Sequence, residues 1–146
     1  MKKDIKVDKV KKNFYLTLLV LIAVLAITYF YTRPEKVVQM LDGNQLMLES
    51  GKKICLIGVD PHNQAGSFIR TLVEGKSVKL HFDQMKPDLN GCLPAYVYLS
   101  EGTFVNAEVI KRGYARVDTA SPFKYSSEFI QHQLNAQKEK RGIWLD

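Results

Sequence analysis

Hydrophobic residues follow two different patterns along the chain. From Phe14 to Tyr31 the run FYLTLLVLIAVLAITYFY has no charged residue, and apart from its tyrosines only Thr17 and Thr28 are polar. No polar face recurs at helical spacing, which argues against an amphipathic core helix. A helix of that length, rising about 1.5 Å per residue, approaches the roughly 30 Å of a bilayer's hydrocarbon core. After Val37 the pattern changes to short apolar runs and alternations punctuated by glycine, proline and asparagine. Val37–Leu41, the turn Asp42-Gly43-Asn44 and Leu46–Leu48 predict a β-hairpin. Ser50-Gly51-Lys52 predicts a second turn into a strand over Lys53–Val59 that Pro61 stops.

Further along, Asn63 is placed to cap a short helix with Phe68, Ile69 and Leu72 on its apolar face, and Gly75 ends it. SVKLHFD, from Ser77 to Asp83, alternates as a half-buried strand does. Lys86–Gly91 reads as a loop and Ala95–Leu99 as a strand closed by Glu101-Gly102. Val105–Arg112 reads as a helix stopped by Gly113. The last helix covers Ser126–Arg141, with Phe129, Ile130, Leu134 and Gln137 inward and Gly142 as its C-terminal cap. The sum is an α+β domain: five strands in an antiparallel, barrel-like sheet with three short helices, preceded by one transmembrane helix. The boundaries are 1–13 for a basic tail, 14–31 for the anchor, 32–36 for a linker and 37–146 for the folded domain.

Charge sharpens the N-terminal reading. Lys2, Lys3, Lys6, Lys9, Lys11 and Lys12 stand against Asp4 and Asp8, so most of the formal +6 lies ahead of the apolar run. The positive-inside rule keeps that tail in the cytoplasm and puts the C-terminal domain outside it, as a single-pass membrane protein. Val24-Leu25-Ala26 offers the alternative of a signal-peptide cleavage site. The apolar run continues past it through Ile27, Tyr29, Phe30 and Tyr31, and its terminal aromatics suit a membrane interface, which favours an uncleaved anchor. The domain itself is only mildly basic, weak support for a nucleic-acid partner.

Several stretches are similar to one family. They are Leu41-Asp42-Gly43-Asn44, Leu56-Ile57-Gly58-Val59-Asp60, Gly75-Lys76-x-Val78-x-Leu80-x-Phe82-Asp83 and Asp88-x-x-Gly91-x-Leu93-x-Ala95-Tyr96-Val97-Tyr98. Val105-Asn106, Gly113-Tyr114-Ala115 and Ala136-Gln137-Lys138-x-Lys140-x-Gly142-Ile143-Trp144 follow in order. From Val37 to Trp144 the chain resembles the staphylococcal thermonuclease (SNase-like) domain, an OB-fold barrel with three helices. The resemblance implies a phosphodiesterase site: a Ca²⁺ ion held by two aspartates, a glutamate as general base, and two arginines on the scissile phosphate. Such groups neutralise charge on the phosphate and position a water.

Transferred position by position, that pattern is only partly filled. The metal aspartates fall on Asn44, which brings a carbonyl oxygen but no charge, and on Asp60, which is kept; Asp42 is a weaker candidate ligand. The base position falls near His62 and Asn63, with no glutamate and with Pro61 one place early. The loop from Asp60 to the first helix is shorter than the family's. The arginine positions fall on Cys55 and Cys92, and a thiol has neither fixed positive charge nor a bidentate fork.

Because the family's two arginines share one pocket, the resemblance implies that Cys55 and Cys92 lie close together. In an oxidising compartment it further implies a disulfide; two separate buried thiols are the alternative. Nothing in the sequence sets His62, His81 or His132 beside either cysteine, and no Cys-x-x-Cys spacing points to zinc. The expected function is a membrane-anchored, catalytically inactive thermonuclease-like module for binding or assembly, needing no cofactor. The alternative is a weak or divergent Ca²⁺-dependent nuclease. Expected partners are the membrane through 14–31 and a protein or envelope component. Nucleic acid is the weaker candidate, through Tyr96, Tyr98, Tyr114, Lys79 and Arg116, whose tyrosines more often pack a barrel.

Overall fold

The computed structural model describes residues 2–84, 87–88 and 90–145 and divides the chain into two units, Met1–Arg33 and Pro34–Asp146. The first unit is one helix, α1 (Lys2–Thr32), so the basic stretch expected as a separate tail continues the same helix. Once an apolar run has nucleated a helix, each added residue gains a hydrogen bond at little cost. Val10–Tyr29 is long and apolar enough to cross a membrane. Its threonines do not interrupt it: Thr17 Oγ1 donates to Asn13 O and Phe14 O at 3.0 and 2.8 Å, and Thr28 Oγ1 donates to Leu25 O at 2.9 Å. Hydroxyls bonded to their own helix present no unmet polar group to an apolar medium. Pro34 disfavours the α conformation at Arg33 and ends α1.

The second unit is built on a closed barrel of five strands in the order β1-β2-β3-β6-β5. They are β1 (Glu35–Asp42), β2 (Gln45–Leu48), β3 (Lys53–Leu56), β5 (Ser77–Phe82) and β6 (Leu93–Leu99). Alternation puts Val37, Leu46, Ile54, Val78 and Val97 inside, each fully buried. The β1–β2 hairpin turns at Gly43-Asn44, with Asp42 opposite Gln45. Not every neighbour is antiparallel as expected: β3 and β6 run parallel, Ile54 opposite Leu93 and Leu56 opposite Ala95, and this pair closes the ring. A parallel pair needs a long crossover, which here contains α2 (Ala65–Val73) and β5.

The strand expected over Lys53–Val59 is broken. Gly58 has φ +74°, a conformation glycine adopts freely, and its missing Cβ would lie 2.6 Å from the Phe123 ring. Beyond this kink β4 (Val59–Pro61) leaves the barrel and pairs with β7 (Ala115–Val117), a strand too short to register as an alternation. Asn63 does not cap α2; the helix begins after Gln64 with no side-chain cap, burying Ala65, Ile69 and Val73.

Helix α3 (Val105–Lys111) carries the one buried polar side chain among the described residues, Asn106. Its Nδ2 donates to Ile57 O and Ala95 O at 3.0 and 3.1 Å and its Oδ1 accepts from Val97 N at 2.9 Å. This amide stitches the kink after β3 to β6, bonding backbone groups on both sides of it so that its own buried polar atoms are satisfied.

Helix α4 (Ser126–Lys138) is turned differently from expectation. Phe129 and Ala136 are buried, whereas Ile130 and Leu134 are 39% and 48% exposed. Gln133 explains the phase: its Oε1 accepts the Val117 N–H of β7 at 2.8 Å, putting 129, 133 and 136 on the inner face. The helix also stops at Lys138 rather than Arg141, and Gly142 does not act as its cap. Gly142 and Gly113 instead allow their two backbones to touch, sealed by Ile143 N to Gly113 O at 2.8 Å. In the expected loop Lys86–Gly91, Lys86 and Leu89 lie outside the described residues.

Candidate functional site

Cys55 sits on the outward face of β3, between Gln45 of β2 and Pro94 of β6. Cys92 is buried just before β6. The structure joins the two as a disulfide, with Cα atoms 5.7 Å apart and a sequence separation of 37. Asp88 braces the second half of the bridge. Its Oδ1 accepts from Asn90 N and Cys92 N, both at 2.8 Å, while its own N–H donates to Cys92 O at 3.0 Å. Sequence reading placed Asp88 in a family-like stretch but gave it no role at the site, although an aspartate followed two and three places later by Asn-Gly is the signal for an Asx turn.

The residues around the β1–β2 turn are engaged structurally. Asp42 Oδ1 accepts from Gly43 N at 2.7 Å. The Asn44 side chain donates from Nδ2 to Val59 O at 3.0 Å, tying the turn to β4, a bond an aspartate at this position could not make. Asn44 O also accepts from Leu56 N at 3.0 Å, and a Cβ on Gly43 would lie 2.7 Å from Pro61. The early proline therefore packs directly on the turn. Asp60 is exposed on β4 opposite Arg116 of β7, and the Arg116 guanidinium lies 5.6 Å from the centre of the Trp144 ring.

Asp42, His62 and Asn63 come together in an open cleft of about 410 Å³, joined by Ser67 and Arg70 of α2. Asn44, Asp60, Cys55 and Cys92 do not line it. Neither Asp42 nor Asp60 belongs to a group of three His, Cys, Asp or Glu side chains with converging ligand atoms; among the described residues the one such group is Cys55, Asp88 and Cys92.

The tyrosines weighed for base stacking are already in contact with protein. Tyr96 OH donates to Asp83 Oδ2 at 2.7 Å and accepts from Lys124 N at 3.1 Å. Tyr98 stacks on Phe104 at 4.4 Å, and Tyr114 stacks on Phe68 at 4.4 Å. Burial, reinforced by the Asp83 bond, pushes the Tyr96 hydroxyl well above the usual phenol range; the same bond holds the Asp83 carboxyl below its ordinary value. Lys79 lies on the outward face of β5, opposite Tyr98.

Comparison with known proteins places these features in context. The family model described as staphylococcal nuclease homologue matches residues 56–146. The chain is 30% identical to the thermonuclease of Staphylococcus hyicus over 126 residues, covering 75% of this chain and 74% of that protein. It is 33% identical over 90 residues to staphylococcal nuclease domain-containing protein 1 of Schizosaccharomyces pombe, covering 56% of this chain but 10% of that protein. An uncharacterized protein of Bacillus anthracis is 35% identical over 86 residues, covering 56% of this chain and 39% of that one.

Proposed function

Given that the chain belongs to the staphylococcal nuclease family, we propose that it keeps the family's fold without its phosphodiester chemistry. We read it as a membrane-anchored binding or assembly module. One observation carries this reading: the two positions that the resemblance assigns to phosphate-binding arginines are Cys55 and Cys92, joined to each other in the structure. A disulfide supplies no charge to a phosphate, and losing one such stabiliser typically costs about 10²–10³ in rate. The Asn44 amide bonded to Val59 O and the absence of a glutamate around His62 and Asn63 point the same way.

The lysines ahead of the apolar helix support a cytoplasmic N-terminus and an extracytoplasmic domain, a compartment in which a disulfide persists. The partner is read as a protein or envelope component. Nucleic acid is the weaker candidate, because Tyr96, Tyr98 and Tyr114 are already packed against other side chains.

The second reading, a divergent Ca²⁺-dependent nuclease using Asp60, Asn44 and Asp42, rests on Asp60 being retained and exposed. An assay of the detergent-solubilised full chain on single-stranded DNA and RNA, with Ca²⁺ or with chelator, separates the two. We expect equal, background cleavage in both conditions. Ca²⁺-dependent cleavage that disappears in Asp60→Ala would establish the second reading instead. If the chain is inert, salt-dependent binding to single-stranded DNA distinguishes a nucleic-acid module from a protein-binding one.

A further inference from the structure

We propose that Cys55, Asp88 and Cys92, once the disulfide is reduced, form a binding site for a thiophilic divalent cation such as Zn²⁺. The three side chains offer two sulfurs and a carboxylate oxygen, all within 4.8 Å of one another. Around a tetrahedral ion with Zn–S near 2.3 Å and Zn–O near 2.0–2.2 Å, ligand atoms lie roughly 3.5–3.8 Å apart; the two sulfurs, bonded to each other in the bridge, rotate apart to that spacing once it is reduced. Soft thiolates with one carboxylate favour zinc or cadmium over calcium or magnesium.

The site survives opening of the S–S bond because each ligand is held by something else. Cys55 is fixed between β2 and β6 by strand pairing on both sides. Cys92 is held by Asp88, which bonds both its N–H and its C=O. Asp88 Oδ1 takes the two backbone N–H groups of Asn90 and Cys92, and its other oxygen is uncommitted among the described residues. A carboxylate oriented by such bonds is the supported arrangement that metal sites use. Asp88 is exposed and Cys55 partly so, which gives an ion a way in, and the fourth position falls to water.

The chemistry balances with a small thiol or dithiol as reductant. It delivers two electrons and two protons to the Cys55–Cys92 bond and is itself oxidised to a disulfide. The ion then displaces the two thiol protons to solvent. The bridge and the metal are therefore mutually exclusive occupants of one place.

The test uses the full chain in detergent, reduced with a phosphine and titrated with Cd²⁺, whose bond to thiolate gives an ultraviolet charge-transfer band. Expected is a saturating one-to-one band in the reduced protein, none in the oxidised protein and none in Cys55→Ser. Asp88→Asn should weaken binding about tenfold or more while circular dichroism still reports the folded barrel. Three results would overturn the proposal: a reduced, folded protein with no band, an Asp88→Asn variant binding as tightly as the parent, or a band that develops only as the barrel unfolds.

Discussion

Tyr96 illustrates how one side chain's role escapes a sequence. Its place in an alternating Tyr-Val-Tyr strand is visible, but its partners, Asp83 and the Lys124 N–H, arrive from positions 13 and 28 residues away. The resulting bond ties stability to pH at both ends. The Asp83 carboxyl is held below its ordinary value of 3.8, first by the Tyr96 hydroxyl and then by the Gln84 N–H. Its contribution is complete above that value and is lost as pH falls toward the lower folded pKa. Tyr96 is shifted upward from 10.0, by burial first and by Asp83 second, and Tyr98 is shifted the same way by burial and Tyr125. Their contributions are complete below about pH 10 and are lost as pH rises beyond it. Urea midpoints measured across pH should therefore be level through neutrality and decline below about pH 4 and above about pH 10. Tyr96→Phe should shrink the acid decline and part of the alkaline one, leaving the share of Tyr98. Unchanged slopes in that variant would show that the Tyr96–Asp83 bond does not form in solution.

At the scale of elements, the apolar runs located the barrel strands, and the errors fall where a tertiary contact overrides a local pattern. Lys53–Val59 looks like one strand because an uninterrupted apolar run does not reveal a kink. The kink depends on the Phe123 ring occupying the space beside Gly58, a contact between segments far apart in sequence. Likewise Ile130 and Leu134 look like core residues until Gln133 is seen satisfying an edge-strand N–H of β7, which sets the rotation of α4. Gly58 is the more testable case. At φ +74° an alanine pays about 1–2 kcal/mol for the left-handed conformation. Overpacking against Phe123 adds about 1–3 kcal/mol. Gly58→Ala should thus lower unfolding free energy by about 2–5 kcal/mol in a denaturant titration. Combining it with Phe123→Leu should relieve the packing part and leave the backbone part. A loss under about 0.5 kcal/mol would mean that the chain can straighten here at no cost.

For the whole molecule, the family and the order of its pieces were legible because they rest on short local motifs. What was not legible is how Asp88 meets the cysteines, since that depends on closing the barrel through the parallel β3–β6 pair. The Cys55–Cys92 bridge fastens this same seam and encloses β4, α2 and β5 between its ends. Chain entropy for a loop of this length gives about 3–4 kcal/mol, a large part of the 5–15 kcal/mol typical of a domain. The effect acts mainly on the denatured chain, which the bridge keeps compact, so it should appear in two observables at once. In Cys55→Ser/Cys92→Ser the guanidinium midpoint should fall, and the slope of free energy against denaturant should rise because more surface is exposed on unfolding. The native circular dichroism should not change, since strand pairing already holds β3 beside β6. The parent protein measured in reductant should match the double variant within about 0.5 kcal/mol. A midpoint equal to that of the oxidised parent would show that the bridge does not form in the folded chain, and would remove the main support for reading the phosphate pocket as a cross-link.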